Sequence, residues 1–282
     1  MILTGKARLA GVVGWPISHS KSPRLHGYWL EKLAIDGAYL PLAVEPDNFE
    51  ETLHGLMNAG FQGVNVTVPH KEAALRFCNE VDPLARRIGA VNTIIFKNGR
   101  SFGSNTDAFG FIENLRQNSD QLNFSSAKVV VLGAGGAARG VIVALQDAGV
   151  SNILLVNRTK TRSEALAQGV SEGQNNKIQV CAWEDRNNIL SGADLLVNTT
   201  SLGMAGQPPL DLDLTGLPLS AVVTDIVYAP LITPLLDMAR SRGNEIVDGL
   251  GMLLHQARPG FEAWFGEKPI VTPRLREFVL DA

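Results

Sequence analysis

The stretch Lys128-Val-Val-Val-Leu-Gly-Ala-Gly-Gly-Ala-Ala-Arg139, followed by Ile153-Leu-Leu-Val-Asn-Arg-Thr159, decides the fold. Val129–Leu132 is a short, unbroken aliphatic run, as a parallel strand buried on both faces requires. It stops at Gly133, Gly135 and Gly136, and helix-forming residues follow from Ala137 to Ala148, closing at Gly149. Ile153–Val156 supplies a second apolar strand. Strand, glycine turn, helix and strand within about thirty residues is the setting that gives a glycine motif meaning. Glycine on either side of Ala134 lets the backbone approach a pyrophosphate, and the free N–H groups opening the next helix favour that anion. Ala138 stands where a third glycine is usual and is small enough for close helix–strand packing.

The residues after the second strand choose the cofactor. A domain built for NAD places Asp or Glu there, to accept from the ribose 2′-hydroxyl. This chain has Asn157-Arg158-Thr159, with Arg162 three residues on. Two guanidinium groups and two small polar side chains suit a 2′-phosphate, which a carboxylate would repel. Solvated arginines at a helix start would be the bland alternative, but that leaves the strand–turn–helix setting unexplained. The expected cofactor is NADP(H).

At 282 residues the chain is long enough for two domains. It is 45% hydrophobic and 19% charged, the balance of a soluble protein with a sizeable core. A net charge of −3 gives no reason to expect nucleic acid or an anionic membrane surface as partner. Cys78 and Cys181 form no paired motif and read as small buried side chains in a reducing compartment. The first residues lack a signal-peptide core and no apolar run could span a bilayer, so the expectation is a cytoplasmic protein. None of the five histidines has ligand spacing, and no metal is assigned. Nothing selects between monomer and homodimer.

The flanking chain reads as further alternating elements. Strands are expected at Ala7–Val13, Ala38–Val44, Val64–Val68, Ile178–Ala182, Leu195–Asn198, Val222–Asp225 and Glu245–Val247. Val91–Phe96 and Ser101–Gly103 should form a hairpin around Asn98-Gly99. Helices are expected over 24–33, 47–59, 70–77, 108–118, 233–242, 249–265 and 272–280, with 203–218 as an exposed loop.

A nicotinamide enzyme needs a group to carry the proton that accompanies the hydride. In the first hundred residues the candidates are Lys71, at a helix start just beyond a strand end, and Asp107. Taken alone, Lys71 is a solvated charge, Asp107 an N-cap, and Ser20 and Ser22 turn residues. Asn92, inside an apolar run, is harder to explain, because a buried amide needs partners. Spacing alone does not assemble these five residues into one site.

A resemblance does. His19-Ser-Lys-Ser-Pro23, Asn65-Val-Thr-Val-Pro-His-Lys71, Gly89-Ala-Val-Asn-Thr93, Asn105-Thr-Asp107, Gly133-Ala-Gly-Gly-Ala137, Asn157-Arg-Thr159 and Asp248-Gly-Leu-Gly-Met-Leu253 follow one another in order. Together they resemble the shikimate dehydrogenase family over essentially the whole chain. The resemblance implies a two-domain α/β fold, with a Rossmann-type NADP-binding domain and an α/β substrate-binding domain that is discontinuous in sequence. Residues 1–108 would form the substrate-binding and catalytic domain, 109–243 the NADP-binding domain, and 244–282 C-terminal helices that return to the first. The implied reaction is NADPH-dependent reduction of 3-dehydroshikimate to shikimate, on the route to aromatic amino acids.

Carried over by position, Lys71 is the proton donor and acceptor, with Asp107 beside it at the substrate hydroxyls. Thr67 and Asn92 match substrate hydrogen-bonding positions, Ser20 and Ser22 the hydroxyls that hold the carboxylate, and Tyr228 and Gln256 further substrate positions. Gly133, Ala134, Gly135, Gly136 and Ala137 match the pyrophosphate turn. Asn157, Arg158, Thr159 and Arg162 match the clamp on the adenine-ribose phosphate, while Ile226 and Gly249 match positions beside the nicotinamide. The family often carries methionine where Ile226 stands. The rival readings are a broader quinate/shikimate dehydrogenase using NAD, a methylenetetrahydrofolate dehydrogenase, and a non-catalytic NADP-binding regulatory protein. Arg158, Arg162 and Ser22 argue against the first, the 19–23 and 248–253 segments against the second, and Lys71 with Asp107 against the third.

Overall fold

The structure, a computed structural model, describes residues 2–171 and 177–281. It divides into two compact units, Met1–Asp107 with Leu254–Ala282, and Ala108–Leu253. The elements of the first stretch are β1 (Arg8–Gly14), α1 (Ser22–Lys32), β2 (Gly37–Ala43), α2 (Phe49–Asn58), β3 (Gly63–Val66), α3 (Lys71–Phe77), β4 (Glu80–Val81), α4 (Pro83–Ile88), β5 (Thr93–Lys97) and β6 (Arg100–Ser104). The second unit holds α5 (Asp107–Asn118) apart from its first residue, β7 (Lys128–Leu132), α6 (Gly136–Asp147), β8 (Asn152–Val156), α7 (Lys160–Ser171), β9 (Lys177–Cys181), β10 (Leu195–Asn198), β11 (Val222–Asp225), α8 (Pro234–Arg242) and β12 (Glu245–Val247). Helix α9 (Leu250–Phe265) leads back to the first unit, and α10 (Pro273–Leu280) closes the chain.

The first sheet has the order β2-β1-β3-β5-β6-β4. Strands β1, β2 and β3 run parallel, β5 is antiparallel to both its neighbours, and β4 is parallel to β6. Because β3 and β6 both run antiparallel to β5, the end of β3, the start of β5 and the end of β6 lie at one edge of the sheet. The β5–β6 hairpin turns on Asn98 and Gly99, both at positive φ (53° and 70°), the left-handed geometry that an Asn-Gly pair accommodates at least strain.

The second sheet is parallel throughout, in the order β12-β11-β10-β7-β8-β9. Counted from β7, this is the strand order of the doubly wound dinucleotide-binding sheet, and the order reverses between β7 and β10. Apart from Lys128 and Asn152 at the starts of β7 and β8, its central strands are buried throughout, which is why they read as aliphatic runs without alternation.

Several expectations are corrected. The strand expected to reach Val68 ends at Val66, because Thr67 already turns: its N–H bonds Val13 O and its carbonyl accepts from His70. Helix α1 begins at Ser22, two residues early, so Ser22 lies in its first turn. The 203–218 segment carries no helix or strand, but Leu210, Leu212, Leu214 and Leu217 are buried against Leu196, Val223 and Leu235. Residues 244–253 group with the second unit, since β12 pairs with β11; the chain re-enters the first unit at Leu254. Helices α4 and α7 and the two-residue β4 were not foreseen.

Helix α1 also carries His26, wholly buried and stacked flat on Tyr39 of β2, with ring centroids 3.9 Å apart and planes within 1°. Trp29, Phe261 and Trp264 complete the aromatic cage. Burial lowers the His26 pKa from 6.5 to about 3. Between those values the unfolded chain holds a proton that the folded chain does not. This stability is therefore complete above about pH 6.5 and is lost as pH falls toward 3, at up to about 1.4 kcal/mol per unit. His26→Phe is expected to flatten the acid limb of a urea-denaturation series between pH 7 and 4. An unchanged slope would place the acid sensitivity in other groups.

Candidate active site

The shared edge of the first sheet gathers the proton-transfer candidates. Lys71 opens α3, four residues beyond Thr67, and its Nζ lies 2.5 Å from Asp107 Oδ2. Asp107 follows β6 and is the first residue of α5, not the cap expected before it. Its backbone N–H is bonded by Asn105 Oδ1 at 3.0 Å, while its carboxylate turns to Lys71 and to Asn92. The side chains of Lys71 and Asp107 are 30% and 23% exposed, half-sheltered but reachable by a small molecule.

Asn92 lies one residue before β5, outside the strand, and is almost fully buried. The partners that a buried amide demands are present. Nδ2 donates to Asp107 Oδ1 at 2.8 Å and to Gln256 Oε1 of α9 at 3.4 Å. Oδ1 accepts from Thr93 Oγ1 and from the N–H and hydroxyl of Thr106, at 2.9, 2.9 and 3.1 Å. Lys71, Asp107, Asn92 and Gln256 thus form one connected cluster. Ser22 N donates to Ser20 Oγ at 3.3 Å, so the two serines form a local pair; Thr67 stands at the end of β3. His70, flanking Lys71, is structural: its Nε2 donates to Val44 O at 2.8 Å and its ring stacks on Phe49.

In the second unit the glycine turn sits where the strand order reverses. Gly133 has φ 106°, and a Cβ there would lie 2.6 Å from Thr199 Oγ1, so only glycine fits. Around Gly135 and Gly136 the space is open, both residues are exposed, and no side chain caps α6. The N–H groups that open a twelve-residue helix therefore face outward, the arrangement that holds a pyrophosphate. Asn157 Nδ2 and Arg162 N both donate to the Thr159 carbonyl, at 3.0 and 3.1 Å, which folds 157–162 into one turn at the start of α7. Arg158, Thr159 and Arg162 are exposed on it. These residues fit a 2′-phosphorylated dinucleotide.

Ile226 and Gly249 come together as well: a Cβ on Gly249 would lie 2.4 Å from Ile226 O. Tyr228 is half-buried, and burial raises its phenol pKa above the usual value. Beneath this segment lies a network that sequence reasoning missed. Asp225 is fully buried; its Oδ1 accepts from Val227 N, and its Oδ2 from Asn198 Nδ2 and Thr233 Oγ1. Burial raises its pKa despite these three donors. Asn198 Oδ1 in turn accepts from the N–H and hydroxyl of Thr200. Its signal was Asn198-Thr-Thr-Ser201, a polar run starting at the last residue of an apolar strand.

The comparisons with known proteins agree over the whole chain. Residues 12–94 match the family model for the shikimate dehydrogenase substrate binding domain, and residues 114–204 match that for shikimate / quinate 5-dehydrogenase. The chain is 58% identical over 279 residues to the shikimate dehydrogenase (NADP(+)) of Paramagnetospirillum magneticum, covering 99% of this chain and 100% of that one. A shikimate dehydrogenase crystallised with NADP+ is similar with a TM-score of 0.91 at 31% identity, over 99% and 97% of the two chains. The Thermus thermophilus shikimate 5-dehydrogenase, crystallised with NADP(H) and shikimate, is similar with a TM-score of 0.85 at 36% identity, over 97% and 99%.

Proposed function

The chain belongs to the shikimate dehydrogenase family, and from that premise we propose that Lys71 and Asp107 carry out the proton transfer of an NADP-dependent interconversion of 3-dehydroshikimate and shikimate. The observation that carries the assignment is the Lys71–Asp107 pair, 2.5 Å apart and tied to Asn92, at one edge of the first sheet. NADPH, held by Gly133–Ala137 and by Asn157, Arg158, Thr159 and Arg162, supplies the hydride when bound.

Lys71 Nζ gives its proton to the C3 carbonyl oxygen as negative charge develops there; in the reverse direction the neutral amine takes the proton from the C3 hydroxyl. Asp107 Oδ2 holds Nζ beside it, and Asn92 holds the other carboxylate oxygen. Asp107, Asn92, Thr67 and Gln256 orient the substrate hydroxyls. Ser20 and Ser22 take the carboxylate through hydroxyl donors, which adds no second cation to compete with Lys71. Tyr228 matches a further substrate position of the family, and Ile226 and Gly249 match positions beside the nicotinamide. No helix among the described residues is long and apolar enough to cross a membrane, and the reading places the enzyme in the cytoplasm.

The test is absorbance at the NADPH band during shikimate oxidation, with NADP and NAD side by side and quinate as second substrate. Turnover with shikimate and NADP alone is expected. Comparable rates with NAD or quinate would move the chain to a broader specificity, and no turnover would leave a binding protein. Arg158→Ala is expected to raise KM for NADP by about tenfold and leave the KM for NAD unchanged, the effect of losing one charge-assisted contact to the 2′-phosphate. Equal losses for both cofactors would remove Arg158 from that contact.

A further inference from the structure

Residues 226–233 join β11 to α8 without helix or strand, so side chains must hold the segment in place. Asp225, the last residue of β11, ties down both of its ends. Oδ1 accepts from Val227 N at 3.0 Å, where the segment begins, and Oδ2 accepts from Thr233 Oγ1 at 2.8 Å, where it stops. Oδ2 also accepts from Asn198 Nδ2 of the adjacent β10, at 3.0 Å. Midway, the Ala229 carbonyl accepts from Ala205 N at 2.8 Å.

The directions of these bonds follow from the donor inventory. A backbone N–H at 227 only donates. The Asn198 amide is oriented by its other partners: Oδ1 accepts from the N–H and hydroxyl of Thr200 at 3.0 and 2.8 Å, and Nδ2 also donates to the Leu202 carbonyl at 3.2 Å. Thr233 Oγ1 accepts from Leu236 N at 3.4 Å, the cap of α8, which leaves its proton for Asp225. Both oxygens at 225 therefore serve as acceptors, and the residue is 0% exposed, so no water can stand in. Capping α8 needs only Thr233 and Leu236. The bond to Val227 serves the segment instead, and it falls between Ile226 and Tyr228, both half-buried on either side of a buried Val227.

We propose that Asp225 is a positioning residue for the reaction: by holding Val227 N and Thr233 Oγ1 with one carboxyl group, it fixes the backbone from which Ile226 and Tyr228 leave. The proposal rests on the reading that Ile226 lies beside the nicotinamide and Tyr228 on the substrate. Asp225 itself touches no reacting atom. A segment ordered before the ligands arrive spares them the entropy of ordering it.

The test is steady-state kinetics of the full chain as Asp225→Asn, with adenosine 2′,5′-bisphosphate, a cofactor fragment that lacks the nicotinamide, as inhibitor against NADP. The variant is expected to lower kcat about tenfold and to raise KM for shikimate about tenfold, each the effect of one lost buried hydrogen bond. The inhibition constant of the fragment should stay within about twofold, because the glycine turn and the 157–162 turn are untouched. Unchanged kcat and KM would overturn the proposal. So would an inhibition constant that rises in step with them, the mark of general distortion. Thr233→Val and Thr233→Ser carry the test should Asp225→Asn fail to fold. Valine, which removes the hydroxyl, should raise KM for shikimate about threefold with the fragment unaffected, and serine, which restores it, should return KM to the original value. Valine and serine behaving alike would overturn the proposal. Tyr228→Phe examines the underlying reading separately. An unchanged KM for shikimate there removes Tyr228 from the substrate and the proposal falls with it, whereas a raised KM beside an unaffected Asp225→Asn overturns the proposal alone.

Discussion

Lys71→Ala is expected to lower kcat for shikimate oxidation by about a thousandfold while KM changes little, the size of effect that follows from removing a positioned general acid or base. The expectation follows from when the lysine acts. In the ground state a carbonyl or hydroxyl at C3 needs only a hydrogen bond, which water or Asn92 can supply. Charge on that oxygen grows only as the hydride moves, and only then does a proton on Nζ matter. Unfolding does not confuse the measurement. The Lys71–Asp107 pair is about a quarter exposed, so its loss costs at most about 1 kcal/mol of stability. Asp107 keeps the Asn92 amide as partner in the variant. A rise in KM with kcat intact would make Lys71 a binding residue and leave the proton carrier to be found elsewhere.

Gly133→Ala should cost the enzyme its grip on both dinucleotides alike. The substitution fails on two separate counts. Alanine at φ 106° is strained by its own backbone, and its Cβ would lie 2.6 Å from Thr199 Oγ1, which is held by a 2.6 Å bond to the Leu132 carbonyl. The turn must shift, and the helix N-terminus shifts with it. A combined strain of about 2–3 kcal/mol lowers kcat/KM by about a hundredfold, yet leaves a folded protein. NADP and NAD share the pyrophosphate, so the two losses should match. That equality separates this variant from Arg158→Ala, whose effect falls on the phosphorylated cofactor only. A loss confined to NADP would mean that the turn contacts the 2′-phosphate end, and no loss would remove it from cofactor binding.

The second unit was legible because its signals are local. An aliphatic strand, a glycine break and a helix read the same in sequence and in space, and β10, β11 and β12 begin and end where the pattern places them. Helix α7 escaped because its only buried side chains are Ser163, Leu166 and Val170, too sparse a stripe to show. Helix α4 is six residues long, yet its punctuation was present. Asp82 caps it, Pro83 opens it and Gly89 closes it at φ 76°. The 203–218 segment misled because glycine and proline mark turns, not exposure, and four leucines spaced between them reach the core. In the first unit the candidate residues could be named but not assembled. Lys71, Asn92, Asp107 and Gln256 are brought together by strand pairing between β3, β5 and β6 and by α9, contacts far apart in sequence. Only the resemblance to a family joined them beforehand. The Tyr39–Asn65 hydrogen bond stayed hidden because a lone tyrosine in an apolar strand reads as packing.

Asp225 has a consequence for how this enzyme can vary over time. One carboxyl group without access to water satisfies the backbone after β11, the amide at the end of β10 and the hydroxyl that caps α8. All three neighbours are donors. A descendant with asparagine at 225 would turn a donor toward the Asn198 amide or the Thr233 hydroxyl, so 198 or 233 would have to reverse its own hydrogen-bonding sense in the same lineage. A change at 225 is therefore expected to be coupled to the groups at 198 and 233.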